Sequence, residues 1–307
     1  MTSANPRGLF GLAVHSELPL PGLPSADEAA PRVDVTFGPV PPQDEVLRAT
    51  DGGLAFRADG VGRFLISGGD NIVIDPVPGA GDRELRVYLL GSAFGALLHQ
   101  RGLLPLHANC IEIAGHAVAF LGRSGAGKST LAHWFQSQGH AVLADDVSAI
   151  APAEPPLALP GVPRLRLWKD ALDAAGLDRT AYPRSFEGQD KFDVPASARH
   201  SPLPLGACYL LDEAAEGEAH GITRLSGIDA SEALIANTYR GGFVPLLGRS
   251  EHHLRLCVAL ARQVPLFRAV RRWGRDHFDS DAAALRDHAE ALLGPPMAGL
   301  QATAISG

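Results

Sequence analysis

The sequence predicts an α/β protein whose mixed sheet is flanked by helices and preceded by a small β-rich lobe. Up to about residue 78 it is rich in Pro and Gly, with short apolar alternations such as Val33–Phe37 and Phe64–Ser67 between turn residues. From Ala108 onward, apolar strands alternate with segments of helical period around a glycine-rich loop. We therefore place an N-terminal lobe at 1–80 and a larger α/β domain at 81–307.

Composition narrows the class of protein. The 307 residues are 46% hydrophobic and 20% charged, as in an ordered globular chain, and the net charge of −7 leaves no basic excess for binding nucleic acid. The three cysteines lie far apart, which suits neither a disulfide framework nor a zinc site and favours a reducing cytoplasm. The N-terminus lacks the pattern of a secretory signal, and the most apolar stretch, Val87–Leu98, is too short to span a bilayer. We expect a cytoplasmic protein that binds neither membranes nor nucleic acid.

The elements around the glycine-rich loop follow from local patterns. Asp82 to Glu84 has the composition of a helix start and Gly102 that of a C-cap, so we predict a helix between them that packs on the central sheet. Two strands, 108–113 and 116–121, form a hairpin that leads into the loop. Further predicted elements are helices at 129–138, 169–176, 231–237, 253–261 and 280–293, and strands at 141–144, 207–211 and 265–270.

The loop itself matches G-x-x-x-x-G-K-[ST] between an apolar strand and an amphipathic helix, the context that a phosphate-binding loop requires. Its glycines let backbone N–H groups face phosphate oxygens, Lys128 bridges the terminal phosphates, and Ser129 places its hydroxyl on Mg²⁺. The sequence thus predicts binding of ATP with Mg²⁺. The predicted nucleotide-binding residues are Gly122, Arg123, Ser124, Gly125, Ala126, Gly127, Lys128, Ser129 and Thr130.

Two acids follow the next strand. Asp145 and Asp146 are expected at the carboxyl edge of the sheet, beside the phosphates. One carboxylate of such a pair can hold Mg²⁺ while the other accepts the proton of an attacking hydroxyl. An ATPase that uses one acid to orient water is the alternative. The short separation between Ser129 and the acids favours a compact kinase core.

Three motifs together resemble the HPr kinase/phosphorylase superfamily of P-loop serine kinases. They are Leu106-His107-Ala108, the loop Gly122–Ser129 and Ala144-Asp145-Asp146, in matching order and spacing within roughly 90–150. The Leu-Pro-Leu-His-Ala stretch that ends at Ala108 and the segment Pro163–Trp168 are most similar to the lasso-peptide precursor kinases of this superfamily, which phosphorylate a C-terminal serine.

This resemblance implies a P-loop kinase domain over 81–307 with an HPr-kinase-like core. It implies Asp145 as general base toward a serine hydroxyl, Asp146 with Ser129 at the metal, His107 as their polar neighbour and Lys128 at the phosphates. The implied substrate is a peptide or small protein. Oligomeric state stays open, although relatives assemble into homo-oligomers.

Arginines supply candidate contacts to phosphate or substrate. Arg164 and Arg166 alternate with leucines, which directs both guanidinium groups to one face of an extended segment, and Arg240 precedes two glycines in a loop. Arg271 and Arg272, which follow the predicted strand at 265–270, are further candidates, and for each of these arginines a solvated surface position is the alternative. The leading hypothesis is an ATP- and Mg²⁺-dependent serine kinase. The alternatives are a P-loop ATPase, a nucleotide-binding regulatory module and a small-molecule kinase.

Overall fold

The computed structural model describes residues 5–186, 188–215, 218–272 and 274–294. In this part of the chain the strands form a seven-stranded sheet, a nine-stranded sheet and a two-stranded sheet. Both large sheets contain parallel and antiparallel pairs, and helices flank the second. The predicted mixed α/β class with a β-rich N-terminal region is therefore confirmed.

The N-terminal sheet has the order β1-β2-β3-β7-β6-β5-β4. Its strands are β1 Arg7–Leu9, β2 Leu12–Ser16, β3 Arg32–Phe37, β4 Leu47–Thr50, β5 Gly53–Ala58, β6 Gly62–Ser67 and β7 Asn71–Pro76. Alternate residues face the core, so that Val33 and Val35 are fully buried while Asp34 between them is not. The predicted strands at 33–37 and 64–67 are confirmed.

One helical segment joins the two halves of the molecule. It consists of α1 Asp82–Tyr88, a π-helical turn Leu89–Ala93 and α2 Phe94–Gln100. Its buried side chains belong to the core of the N-terminal sheet rather than mainly to that of the central sheet, and the Phe94 ring lies 6.2 Å from that of Phe10. The proposed boundary at residue 80 precedes this helix and stays a prediction.

The central sheet has the order β11-β9-β10-β16-β13-β12-β8, and β18 pairs with both β16 and β17. Its strands are β8 Leu104–Leu106, β9 Ala108–Ile113, β10 His116–Leu121, β11 Val142–Ala144, β12 Ser148–Ala151, β13 Leu157–Leu159, β16 Leu203–Glu213, β17 Gly221–Leu225 and β18 Leu266–Arg271. The separate two-stranded sheet consists of the antiparallel strands β14 Arg164–Trp168 and β15 Lys191–Pro195. Ala114 and Gly115 both have positive φ, which closes the predicted β9–β10 hairpin tightly.

Helices cover both faces of this sheet. They are α3 Lys128–Ser137, α4 Lys169–Ala174, α5 Gly227–Ala236, α6 Phe243–Leu246, α7 Ser250–Gln263 and α8 Arg275–Leu293. Alternation along β10 explains the two layers. Phe120 packs with Leu131 and Phe135 of α3, whereas Ala119 faces the core that α5 and α7 complete. No helix among the described residues is both long and apolar enough to cross a bilayer.

A buried histidine ties α2 to the turn after α5. His99 is 3% exposed, and its Nε2 lies 2.9 Å from the carbonyl oxygen of Tyr239. Burial lowers the pKa of His99 from 6.5 to about 4, despite the opposing effect of that hydrogen bond. Because the unfolded chain binds this proton more readily, stability is fully present above about pH 6.5 and is lost as the pH falls toward 4.

We therefore expect His99→Gln, which keeps an N–H donor but does not titrate, to flatten the pH dependence of stability. Between pH 6.5 and 4 the wild type should lose about 3 kcal/mol more of unfolding free energy than the variant. Urea denaturation at stepped pH values measures this difference. Parallel pH profiles for the two proteins would contradict the account.

Candidate functional site

Two strand ends bring the glycine-rich loop and the acidic pair together. β10 and β11 both run antiparallel to β9, so they point in the same direction. The loop after Leu121 and the acids after Ala144 consequently emerge at one edge of the sheet. This placement is the one expected from the sequence.

The loop has the backbone that its glycines predict. Gly125 and Gly127 have φ values of 89° and 75°, in the left-handed region. A Cβ on Gly122 would lie 3.0 Å from the carbonyl oxygen of Leu211, so the loop starts in close contact with the neighbouring strand. The tip at Arg123 to Gly125 is exposed, and α3 begins at Lys128 with its N-terminus at the loop.

Lys128 lies inside this loop. Its Nζ donates to the carbonyl oxygens of Gly122 at 2.6 Å and of Arg123 at 3.0 Å. Burial lowers the pKa of Lys128 to about 8, although both aspartates raise it. The ammonium group is thus fixed by two carbonyls that a phosphate oxygen could replace.

Asp145 faces Ser129, on the loop side. Its carboxylate accepts hydrogen bonds from Ser129 Oγ at 3.0 and 3.3 Å and from the backbone N–H of Arg166 at 2.8 Å. Burial raises the pKa of Asp145 even though these hydrogen bonds favour the charged form. A serine hydroxyl beside a carboxylate at a phosphate loop is the pair of oxygen ligands that Mg²⁺ takes together with phosphates. The residues present therefore fit the predicted metal.

Asp146 points elsewhere. It adopts φ +72°, and its carboxylate lies 3.0 Å from Arg166 Nη1 and 3.4 Å from His107 Nδ1. Burial alone would raise the pKa of Asp146, but the nearby positive charges, Arg166 foremost, lower it. Burial, reinforced by repulsion from Lys128, lowers the pKa of His107, and its Nδ1 also lies 3.2 Å from the backbone carbonyl oxygen of Asp146.

The three predicted arginines occupy different surroundings. Arg164 and Arg166 both extend toward Asp193, at 2.7 and 3.9 Å, as their alternation predicted. Arg166 and Arg240 line a common cavity, whereas Arg164 lines a smaller neighbouring one. Arg240 has φ +52° and stacks its guanidinium on Tyr239 at 5.7 Å.

The cavity has a volume of about 560 Å³ and opens directly beside Asp146. Its walls include the helix 87–92, the start of the loop, residues Ser185, Phe186, Gln189 and Lys191, and the turn 236–240. The polar and charged residues among its lining are Ser92, His107, Arg123, Asp146, Arg166, Ser185, Gln189, Lys191, Asn237, Thr238 and Arg240. Asp145 lines only the smaller cavity.

Two residues of the site were not found from the sequence. Asn237 accepts the N–H of Gly122 on Oδ1 at 3.0 Å, and its carbonyl accepts the N–H of His107 at 2.7 Å. Lys191 lines the cavity. No local pattern marks these two, because their partners are distant in sequence. Arg271, a less favoured candidate from the sequence, donates from Nη2 to the Ala126 carbonyl at 2.6 Å.

Among solved structures, the HPr(Ser) kinase/phosphatase from Coxiella burnetii is similar to this chain, with 14% identity and a TM-score of 0.34 over 60% of this chain and 89% of that one. No protein-family model and no curated protein matches the sequence.

Asn237→Ala tests the anchor of the loop. The change leaves the N–H of Gly122 without its acceptor, and we expect a loss of about 1–3 kcal/mol in unfolding free energy. Asn71→Ala is a matched control, because that side chain makes only a 3.5 Å contact with Ser67. Chemical denaturation of both variants measures the losses. Equal, small losses would show that Asn237 does not hold the loop.

Proposed function

We propose that this protein is a P-loop kinase that transfers the γ-phosphoryl group of Mg²⁺-ATP to a serine hydroxyl of a peptide or small protein. One observation carries the proposal. Two adjacent carboxylates face different parts of the site: Asp145 faces the hydroxyl of Ser129 at the loop, and Asp146 faces a cavity large enough for an acceptor.

The donor half rests on the loop. Its backbone N–H groups and the N-terminus of α3 suit the β- and γ-phosphates, and Lys128 exchanges its two carbonyl partners for phosphate oxygens. Ser129 and Asp145 would hold Mg²⁺. The metal, when bound, neutralises charge on the phosphates.

The acceptor half rests on Asp146. Its carboxylate lines the cavity, where it can accept the proton of a bound hydroxyl. Arg166 and His107 hold it in place, and the charge of Arg166 favours its ionised form. These contacts favour Asp146 as general base and Asp145 at the metal, the reverse of the division that the family resemblance implies.

A cavity of about 560 Å³ favours a kinase over an ATPase or a nucleotide-gated module, since an attacking water needs far less room. Because the cavity is open, it suits a chain segment presenting a serine. The motifs shared with lasso-peptide precursor kinases support the C-terminal serine of such a precursor as the acceptor. A small-molecule acceptor is the second candidate, favoured only by the cavity's size.

The two carboxylates can be separated by paired substitutions. We expect Asp146→Asn to slow transfer by on the order of a hundredfold or more with little change in the Mg²⁺ requirement, because the proton acceptor is lost. Asp145→Asn should instead raise the Mg²⁺ concentration needed for activity. The measurement is transfer from labelled ATP to serine-containing peptides encoded by neighbouring genes, with Mg²⁺ varied.

Asp59→Asn serves as control, since that carboxylate is exposed on the N-terminal sheet. A loss in Asp145→Asn that added Mg²⁺ does not restore, with Asp146→Asn fully active, would return the role of base to Asp145. If both variants transferred phosphate at the wild-type rate and with the wild-type Mg²⁺ requirement, both assignments would be contradicted.

A further inference from the structure

Lys191 is a cation on the wall of the large cavity to which the proposed function assigns no role. It begins β15 and lies opposite Trp168 in the two-stranded β14–β15 sheet, two residues before Asp193, which pairs with Arg166. This register places Lys191 on the wall of the large cavity, together with His107 and Asp146.

Unlike the neighbouring cations, Lys191 has no carboxylate partner among the described residues. Arg164 pairs with Asp193 at 2.7 Å, Arg166 with Asp146 at 3.0 Å and Lys169 with Asp173 at 2.8 Å. Within the part of the chain that the structure describes, no carboxylate lies within ion-pair distance of the Lys191 ammonium. That group lies 5.6 Å from the ring of Trp168, whose indole holds the side chain by a cation–π contact.

The field of Lys191 reaches both halves of the site. Burial is the main cause of the lowered pKa of Lys128 and of His107, and the charge of Lys191 lowers both further. The same charge favours the ionised forms of Asp145 and Asp146. Lys191 also lines the same cavity as Gly122, at the start of the loop, and Asp146, so its side chain borders the space that both halves of the site share.

An unpaired cation in a partly buried site is stabilised when an anion joins it, and the repulsion between Lys191 and Lys128 makes that anion more favourable. Phosphoryl transfer generates such an anion in this position. Its transition state spreads negative charge over three equatorial oxygens between the loop and the attacking hydroxyl.

We propose that Lys191 is a catalytic residue that binds the phosphoryl group during transfer, an inference that rests on the proposed function. In that step the acceptor oxygen forms a bond to the γ-phosphorus while the bond from phosphorus to the β,γ-bridging oxygen breaks. ADP leaves with that electron pair, and the hydroxyl proton passes to Asp146. Lys191 stabilises the charge on the equatorial oxygens.

The test uses ADP with aluminium fluoride, which imitates the transferring phosphoryl group and contains no acceptor. Lys191→Met keeps the aliphatic stem over Trp168 and removes the charge. Lys191→Arg keeps the charge, and Lys169→Met is the control, since it removes an exposed lysine paired with Asp173. Isothermal titration calorimetry measures the affinity for Mg²⁺-ADP with and without aluminium fluoride.

We expect Lys191→Met to bind Mg²⁺-ADP within about twofold of wild type but to lose the tightening by aluminium fluoride by on the order of a hundredfold or more. Lys191→Arg should keep most of that tightening and Lys169→Met all of it. If fluoride does not tighten binding to the wild type, transfer rates decide: Lys191→Met must then lower kcat to the same extent with KM for ATP and acceptor nearly unchanged.

Two results would overturn the role. In one, Lys191→Met retains both the tightening and kcat. In the other, only the KM for the acceptor rises, which would make Lys191 a binding site for an anionic group of the acceptor. A wild-type protein that binds no Mg²⁺-ADP would overturn the proposed function itself, and this role with it.

Discussion

The left-handed backbone at Asp146 is the constraint on which the rest of the site depends. Two consecutive residues at the end of β11 would otherwise place their carboxylates in similar surroundings. With φ at +72°, Asp145 reaches the hydroxyl of Ser129 while Asp146 faces the cavity. Such a conformation costs a residue other than glycine about 1–3 kcal/mol, so the surroundings must stabilise it.

Arg166 provides that stabilisation from the two-stranded β14–β15 sheet. Its backbone N–H binds Asp145 and its guanidinium binds Asp146, so one residue holds both carboxylates in their separate directions. Asp193, on the paired strand, forms an ion pair with Arg164. The same two strands carry Lys191, so the residue that holds both carboxylates and the proposed phosphoryl-binding cation belong to one small structural unit.

The sequence predicted those parts of the site that follow from local chemistry. The loop was recognised from its spacing of glycines and lysine, and the strands around it from their apolar periodicity. The left-handed turn at Asp146 has no such marker, because aspartate adopts it only when distant contacts support it. Lys191 and Asn237 were not predicted for a similar reason, because both come from far along the chain. Cross-strand register brings Lys191 to the site, and a hydrogen bond to Gly122 holds Asn237 there.

For the helix after the N-terminal sheet, the sequence predicted burial but not the packing partner. Its apolar residues predicted burial correctly, but periodicity alone does not say which sheet covers them, and they join the N-terminal core. Close packing brings this helical segment to the cavity, since a Cβ on Gly91 would lie 2.9 Å from the hydroxyl of Tyr239. The segment thereby contributes Tyr88 and Ser92 to the cavity wall, where they can contact an acceptor.

In the proposed function, the cavity beside Asp146 holds a hydroxyl that receives phosphate. The most direct measurement follows label from [γ-³²P]ATP in the presence of serine-containing peptides and separates phosphoserine from free phosphate. We expect the label in phosphoserine, at a rate that Asp146→Asn greatly reduces. Label released only as free phosphate, at a rate indifferent to peptide and to Asp146→Asn, would contradict the claim and identify a nucleotide hydrolase instead.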